Sequence, residues 1–418
     1  MTNNPFLSDI FKKTWLNHFN KENKEFHFSN FKKLRFVKFK NLPLYINVGK
    51  THTKGISYAV DTSDTTEIDG KVFLMYDIPT FFNLKEISKN RLKTHKIKQY
   101  PGFLINLELF QDLNEYMAIT FKKSSRYKLK KYAKKLETCF DIDYKMFRGE
   151  ISKEEYDYIF SSFNTLLKKR FDAKKITNNN LEKKEWGFYY EVAYPMILEK
   201  KAGLFVIYNE KQPIGVTLCY FSDEIIFDAI TVFDIDYSKF HLGSVTIMKL
   251  IEWSISHKFK IFDFSKGYFD YKKRWASNKY DFEYHLLYDS KSYTATFIAF
   301  IIKNVFEFKQ FLRDKKVNDT LHKFSYKLKN YHKTNKKKTK KGYKSISLSQ
   351  PYKEEKLELI HLNEKENNFL KPFLHEFLYL NTESINSTKV YYLKDKRNTY
   401  IFEGLCRSAE IVINLDYL

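Results

Sequence analysis

Apolar residues in this chain follow two different periods, and the change from one to the other marks out its elements. From Gly203 onward the runs GLFVIYN, IGVTLCYF and IIFDAITVF are separated only by EKQP and SDE, which predicts three antiparallel strands joined by tight turns. The helical period rules on either side. In SKEEYDYIFSSFNTLLKKRF the residues Tyr156, Ile159, Phe160, Phe163, Leu166 and Leu167 make one stripe, and Ser152 with Glu155 has the spacing of a capping box. In SSRYKLKKYAKKLE, Leu129, Tyr132, Ala133 and Leu136 recur at helical spacing, with Ser124 and Ser125 placed to cap and Lys or Arg on the other faces. A further helix is predicted around EWGFYYEVAYPMILEKK, reaching Gly203 with Pro195 as a kink point. After the loop DIDYSKFH, the stripe Val245, Met248, Ile251, Ile255 predicts a buried helix, and FKIFDF a strand.

Outside this central block the pattern is more mixed. Residues 34–120 alternate short apolar runs such as KVFLMYDIP and YPGFLINLEL with polar breaks, as a small α/β unit would. Beyond residue 290, TFIAFIIKNVFEFKQFLRD reads as an amphipathic helix and KLKNYHKTNKKKTKKGYK as a basic linker. The remainder, from residue 346, reads as a small unit with a helix around NNFLKPFLHEFLYL and strands at KVYYLK, NTYIFEG and AEIVINL.

Composition narrows the class. With 418 residues, 43% of them hydrophobic, the chain exceeds one ordinary core, and about 100–200 residues per domain gives two or three. Lys and Arg outnumber Asp and Glu by 73 to 50, a net charge of +23. That balance suits phosphate-bearing partners such as nucleic acid, coenzymes or an anionic membrane surface, and equally a well-solvated surface. Cys139, Cys219 and Cys406 are far apart and odd in number, which argues against a disulfide framework and a structural zinc site and fits a reducing cytosol. The amino-terminal MTNNPFLSDIFKKTW holds no signal-peptide core, and the longest apolar stretch, YTATFIAFII, stops at Lys303, short of the about 18 residues a membrane span needs. A cytoplasmic location is expected, with no transmembrane segment and peripheral membrane contact left open. No His or Cys cluster has metal-ligand spacing and no Walker-type loop is present, so no metal is expected.

The candidate chemistry lies where the order meander, loop, helix, strand ends in FDFSKGYFDYKKRW, residues 262–275. A helix that starts beside the end of a strand exposes unpaired N–H groups and the positive end of its dipole, a seat for a diphosphate. Gly243 permits close approach there, and Leu242, Ser244 and Val245 are candidates to supply amides. If the cleft serves acyl transfer, as the family resemblance given below implies, it needs a base for the nucleophile and a donor for the oxyanion or leaving group. Asp263 is placed to take the acceptor proton, Lys272 to donate to the oxyanion or leaving group, and Tyr271 to stack on the acceptor or protonate the thiolate. Asp228 qualifies as a base only if its face of the strand lines the cleft, His241 reads as incidental, and Asp234 and Asp236 as shaping their loop.

The stretch of about residues 120–280 resembles the Fem/CelD-like branch of the GNAT acyltransferases. The resemblance rests on a last Gly before the long helix, a strand ending in an Asp-Phe pair, a Gly, and an aromatic-Lys pair: Gly243, Asp263-Phe264, Gly267 and Tyr271-Lys272. The basic helix that contains Arg126 is similar to that group's Arg/Lys-rich helix. Of the wider GNAT pyrophosphate motif, Arg or Gln followed by two glycines, the matching positions are Ser238, His241 and Gly243.

The resemblance implies an α/β (α+β) GNAT fold, as tandem GNAT-like units with mixed central sheets, a helical and basic linker, and a small accessory unit. The expected division is a degenerate amino-terminal unit over 1–140, the GNAT domain over 145–290, helix and linker over 291–345, and the accessory unit over 346–418. It also implies an N-acyltransferase that moves an acetyl or longer acyl group from acyl-CoA to an amine or hydroxyl of a small-molecule or cell-envelope acceptor, with Lys266, Gly267 and Arg126 on the substrate. Two alternatives stand beside it. Related Fem-type enzymes take aminoacyl groups from tRNA, and a non-catalytic protein would use the basic surface for nucleic acid or membrane.

Overall fold

The structure, a computed structural model, describes residues 3–20, 24–64, 66–84, 91–174, 176, 178–315, 343–348, 352–362 and 364–413. The basic linker expected at KLKNYHKTNKKKTKKGYK lies almost wholly outside them.

An eleven-stranded mixed sheet dominates the chain. Its strands are β1 (Glu25–Phe26), β2 (Phe36–Lys38), β3 (Leu44–Asn47), β4 (Val72–Pro79), β5 (Leu92–Asn106), β6 (Ile142–Phe147), β7 (Ala202–Asn209), β8 (Gln212–Phe221), β9 (Ile225–Phe233), β10 (Ile261–Lys266) and β11 (Asn278–Asp289). They lie in the order β1-β2-β3-β4-β11-β5-β10-β9-β8-β7-β6. Two junctions are parallel, β3 with β4 and β9 with β10, and the others are antiparallel. The sheet is thus two similar halves, each built around one parallel pair. β11 belongs by sequence to the second half but lies between β4 and β5 of the first.

The helices are α1 (Asp9–Phe19), α2 (Leu113–Thr120), α3 (Lys123–Cys139), α4 (Lys153–Lys174), α5 (Lys183–Leu198), α6 (Leu242–Ser256), α7 (Asp270–Trp275), α8 (Tyr293–Asp314) and α9 (Lys371–Asn381). They cover both faces of the sheet, and this explains why the meander strands read as unbroken apolar runs. Along β7, Leu204 and Val206 join the core under α4 and α5, whereas Phe205 and Ile207 join the one under α3 and α6. A strand buried on both sides has no polar face to alternate with.

The predicted stripe of α4 is buried as a set, and Ser152 Oγ accepts the Glu155 amide at 3.1 Å. Two boundaries differ from expectation. α3 begins at Lys123 with Lys122 as its cap, so Ser124 and Ser125 lie inside the first turn. α5 ends at Leu198 and Gly203 lies within β7, because Lys200, in the left-handed region at φ 58°, turns the chain straight into the strand.

A second sheet holds β12 (Tyr343–Leu348), β13 (Leu357–Leu359), β14 (Lys389–Leu393), β15 (Thr399–Glu403) and β16 (Ser408–Ile413), in the order β12-β16-β15-β14-β13. Its helix α9 packs on α3 and on the 3-10 turn Ile235–Phe240 that precedes α6. Lys239 pairs with Glu376 at 3.0 Å, and His375 Nδ1 lies 3.1 Å from the Asp236 carbonyl oxygen. The small unit therefore braces the loop that leads into α6. Among the described residues no helix is long and apolar enough to cross a membrane.

Candidate active site

β9 and β10 pair only from Ile225 opposite Ile261 to Phe227 opposite Asp263. Beyond that point both strands are irregular. The register of β9 on β8 shifts between Leu218 and Cys219, leaving Ala229 as the extra residue, and that of β10 on β5 shifts between Asp263 and Lys266. A bulge re-aims the side chains beside it. Asp228, next to the first one, lines a cavity of about 330 Å³ that occupies the opening.

The start of α6 forms a second wall, with Gly243, Ser244 and Ile247. Its leading residue, His241, sits in the left-handed region at φ 51° and its carbonyl accepts the amides of Ser244 and Val245. Among the described residues the amides of Leu242 and Gly243 have no acceptor. Glycine is required at 243 by packing, since a Cβ there would fall 2.5 Å from the ring of Phe233. The side chains of Leu242 and Val245 point into the core.

Two cations face this wall. Arg170, from the end of α4, lies over the Phe233 ring at 4.5 Å, and Arg274 comes from α7. Tyr271, also on α7, completes the rim, so the fragment 262–275 and the tip of α6 do share one cavity. The set comprises an apolar wall, two guanidiniums and two unpaired amides, and it suits a ligand with an anionic diphosphate and an apolar arm.

Asp228 is buried and accepts the Thr231 hydroxyl at 2.8 Å. Burial raises its pKa above the usual carboxylate range, against the lowering pull of that hydrogen bond, Lys272 and Lys54. Burial likewise raises the Tyr271 hydroxyl, which stays protonated at neutral pH. Burial and the nearby Arg274 lower the pKa of His241.

Asp263 and Lys272 lie behind this wall and do not line the cavity. Asp263 is wholly buried; its Oδ1 accepts the Tyr280 hydroxyl at 2.7 Å and the Ser265 amide at 2.8 Å, and burial pushes its pKa up to about 7. Among the described residues its Oδ2 has no partner. Lys272 Nζ donates to the carbonyls of Phe264, Lys266 and Ser265 at 2.6, 2.8 and 3.3 Å, and burial lowers its pKa to about 8. With all three donors spent on the last residues of β10, Lys272 holds the end of that strand in shape and has none left for an oxyanion.

The other expected contacts are scattered. Lys266 turns to the first half of the sheet and pairs with buried Asp77 at 2.7 Å. Gly267, at φ 131°, makes the turn beside Phe269. Arg126 lies in the first turn of α3, away from the cavity lining.

Arg170 and Arg274 were not singled out from sequence. Arg170 carried a signal, because it continues the α4 stripe three residues after Leu167 and seven after Phe163, a position otherwise apolar. Arg274 lies within the fragment 262–275 beside Lys272 and Lys273, and nothing local in the sequence distinguishes it from them.

Residues 123–273, from the start of α3 into α7, match the family described as "Acetyltransferase (GNAT) domain". No curated protein matches the chain. Solved structures similar to it include a conserved protein of unknown function from Bacteroides thetaiotaomicron, with 9% identity over 68% of this chain and 91% of the other and a TM-score of 0.44. L-PGS from Bacillus licheniformis has 11% identity over 72% and 97%, with a TM-score of 0.42. FemX has 11% identity over 60% and 83%, with a TM-score of 0.40. Residues 123–273 are thus the part of the chain that matches a GNAT acetyltransferase domain.

Proposed function

We propose that the domain transfers an acyl group from acyl-CoA to an amine or hydroxyl, with Asp228 as the base. The observation that carries this reading is that Asp228, Tyr271 and the open tip of α6 line one cavity between two arginines. Acyl-CoA would supply a thioester, and this chain would supply position and proton transfer.

The free amides of Leu242 and Gly243, with Arg170 and Arg274, would hold the diphosphate at the mouth. The apolar Phe233 and Ile247 would line the arm that leads inward. Asp228, whose raised pKa brings it nearer to that of an attacking amine or hydroxyl in transit, would take the proton released as the new bond forms. Tyr271, protonated at neutral pH, would return a proton to the departing thiolate. Asp263 and Lys272 would act as positioning residues, fixing the course of β10 behind Asp228.

Calorimetric titration with acetyl-CoA and longer acyl-CoA tests the donor. Saturable one-to-one binding, abolished in Gly243→Trp, is expected. Salt-sensitive tRNA binding without CoA binding would replace this reading with the aminoacyl-tRNA one. Binding of neither donor, with nucleic acid or lipid bound instead, would leave a non-catalytic basic protein.

A further inference from the structure

Helix α8 is apolar on two opposite faces. Ala295, Ile298 and Ala299 are buried on the sheet side, where α8 packs over β4, β5 and β11. On the other side Tyr293, Phe297, Phe300, Phe308 and Phe311 are exposed by 94, 64, 61, 61 and 54%. A helix on the surface of a folded domain ordinarily turns charge to solvent, and a contiguous exposed row of large apolar side chains marks a surface that meets something. At about 1.5 Å per residue the 22 residues of α8 make a ridge about 33 Å long.

The ridge does not end with the helix. At its carboxyl end Gln310 donates to the Tyr268 hydroxyl at 3.1 Å, and that hydroxyl donates to Asp314 at 3.2 Å. Tyr268 and Phe269 are themselves 52 and 55% exposed and stand just before α7, so further exposed rings lie beside the end of α8, on the side of the cavity rim. A cation stands at the end of the row, Lys315 Nζ lying 5.7 Å from the centre of Phe311, whereas Lys309 accompanies Phe306, a ring turned to Tyr76 and Tyr284 on the sheet side. The sequence that follows, KVNDTLHKFSYKLKNYHKTNKKKTKKG, contains one acidic residue, Asp319, among its many Lys.

We propose that the exposed face of α8, continued by Tyr268 and Phe269, docks on an anionic lipid bilayer. The two halves of the argument select the same occupant. Aromatic rings in a row gain from an apolar phase that nucleic acid does not offer, and Lys beside them gains from lipid phosphates. A second copy of a chain of net charge +23 would bring like charge against like. Docked in this way, the segment before α7 would lie at the membrane surface. The inference does not depend on the transferase reading, because it uses no residue assigned to proton transfer or to holding the donor.

The test is flotation of the full chain with vesicles of phosphatidylcholine alone and of phosphatidylcholine mixed with phosphatidylglycerol. The wild-type chain is expected to float with the mixed vesicles and far less with the neutral ones. Phe308→Glu with Phe311→Glu is expected to lower vesicle affinity by about tenfold or more, since it removes two apolar anchors, while the thermal melt stays unchanged. Phe297→Ser with Phe300→Ser serves as a second, milder pair. The proposal is overturned if the wild-type chain stays with the soluble fraction, or if both double variants float as well as wild type, which would leave charge alone at work. It is equally overturned if light scattering shows a dimer that the variants dissociate while no form of the chain floats.

Discussion

The ring of Tyr132 stacks on that of His241, with centroids 3.9 Å apart and planes at 25°. This contact joins the basic helix α3 to the residue that starts α6, and so sets where the free amides point. Tyr132→Ala is expected to weaken acetyl-CoA binding by about tenfold, the scale of one ring pair, with little change in the melt. Titration calorimetry reads the difference. Unchanged affinity would mean that the α6 tip is held without the stack.

Asp228→Asn should remove the base and leave the donor seat intact. A loss in kcat of about 10²- to 10⁴-fold is expected with the donor Kd unchanged. Because burial holds the Asp228 pKa above the usual range, the acid limb of the kcat/KM profile of the wild type should fall away at a pH above that of a free carboxylate. Stopped chemistry in Asp263→Asn, with Asp228→Asn still active, would reverse the assignment.

Asp263 leaves a mark on stability. Its folded pKa of about 7 stands above the ordinary carboxyl value of 3.8, so the folded chain binds the proton more tightly than the unfolded chain does. Its contribution is greatest below the lower value and is lost as pH rises through about 7, at up to about 1.4 kcal/mol per pH unit. Urea unfolding of Asp263→Asn across this window should lack that decline, and equal slopes in the two chains would rule the account out.

Gly243→Ala forces a Cβ against Phe233, whose ring already carries Arg170 on its face. A destabilisation of about 1–3 kcal/mol is expected, as for other overpacked sites. Phe233→Leu should recover much of it in the double variant, a coupling that a double-mutant cycle would detect. Additive losses would place the strain elsewhere.

The parts of this fold that could be read from sequence are those set by local period. The meander, the α4 stripe and the helix after Gly243 each repeat within a few residues, so neighbours alone define them. The cavity was legible in outline, since Gly243 and Tyr271 flank it, but the orientation of Asp228 was not. That depends on the bulge at Ala229, a register relation between β8 and β9 that no single stretch encodes. For Lys272 the residue was plain and its surroundings were not: three carbonyls from Phe264 to Lys266 take its donors. The partnership of β11 with β4 and β5 had no sequence signal, because alternation states that a strand is buried and not where it inserts.

That insertion has a consequence for how the protein is made. On the ribosome β4 and β5 emerge early, yet the gap between them is closed by a strand that follows nearly two hundred residues later. Until Asp289 has cleared the exit tunnel, the first half of the sheet carries two open edges and must wait, so its assembly follows the emergence of a strand far downstream and not the order in which its own strands are made.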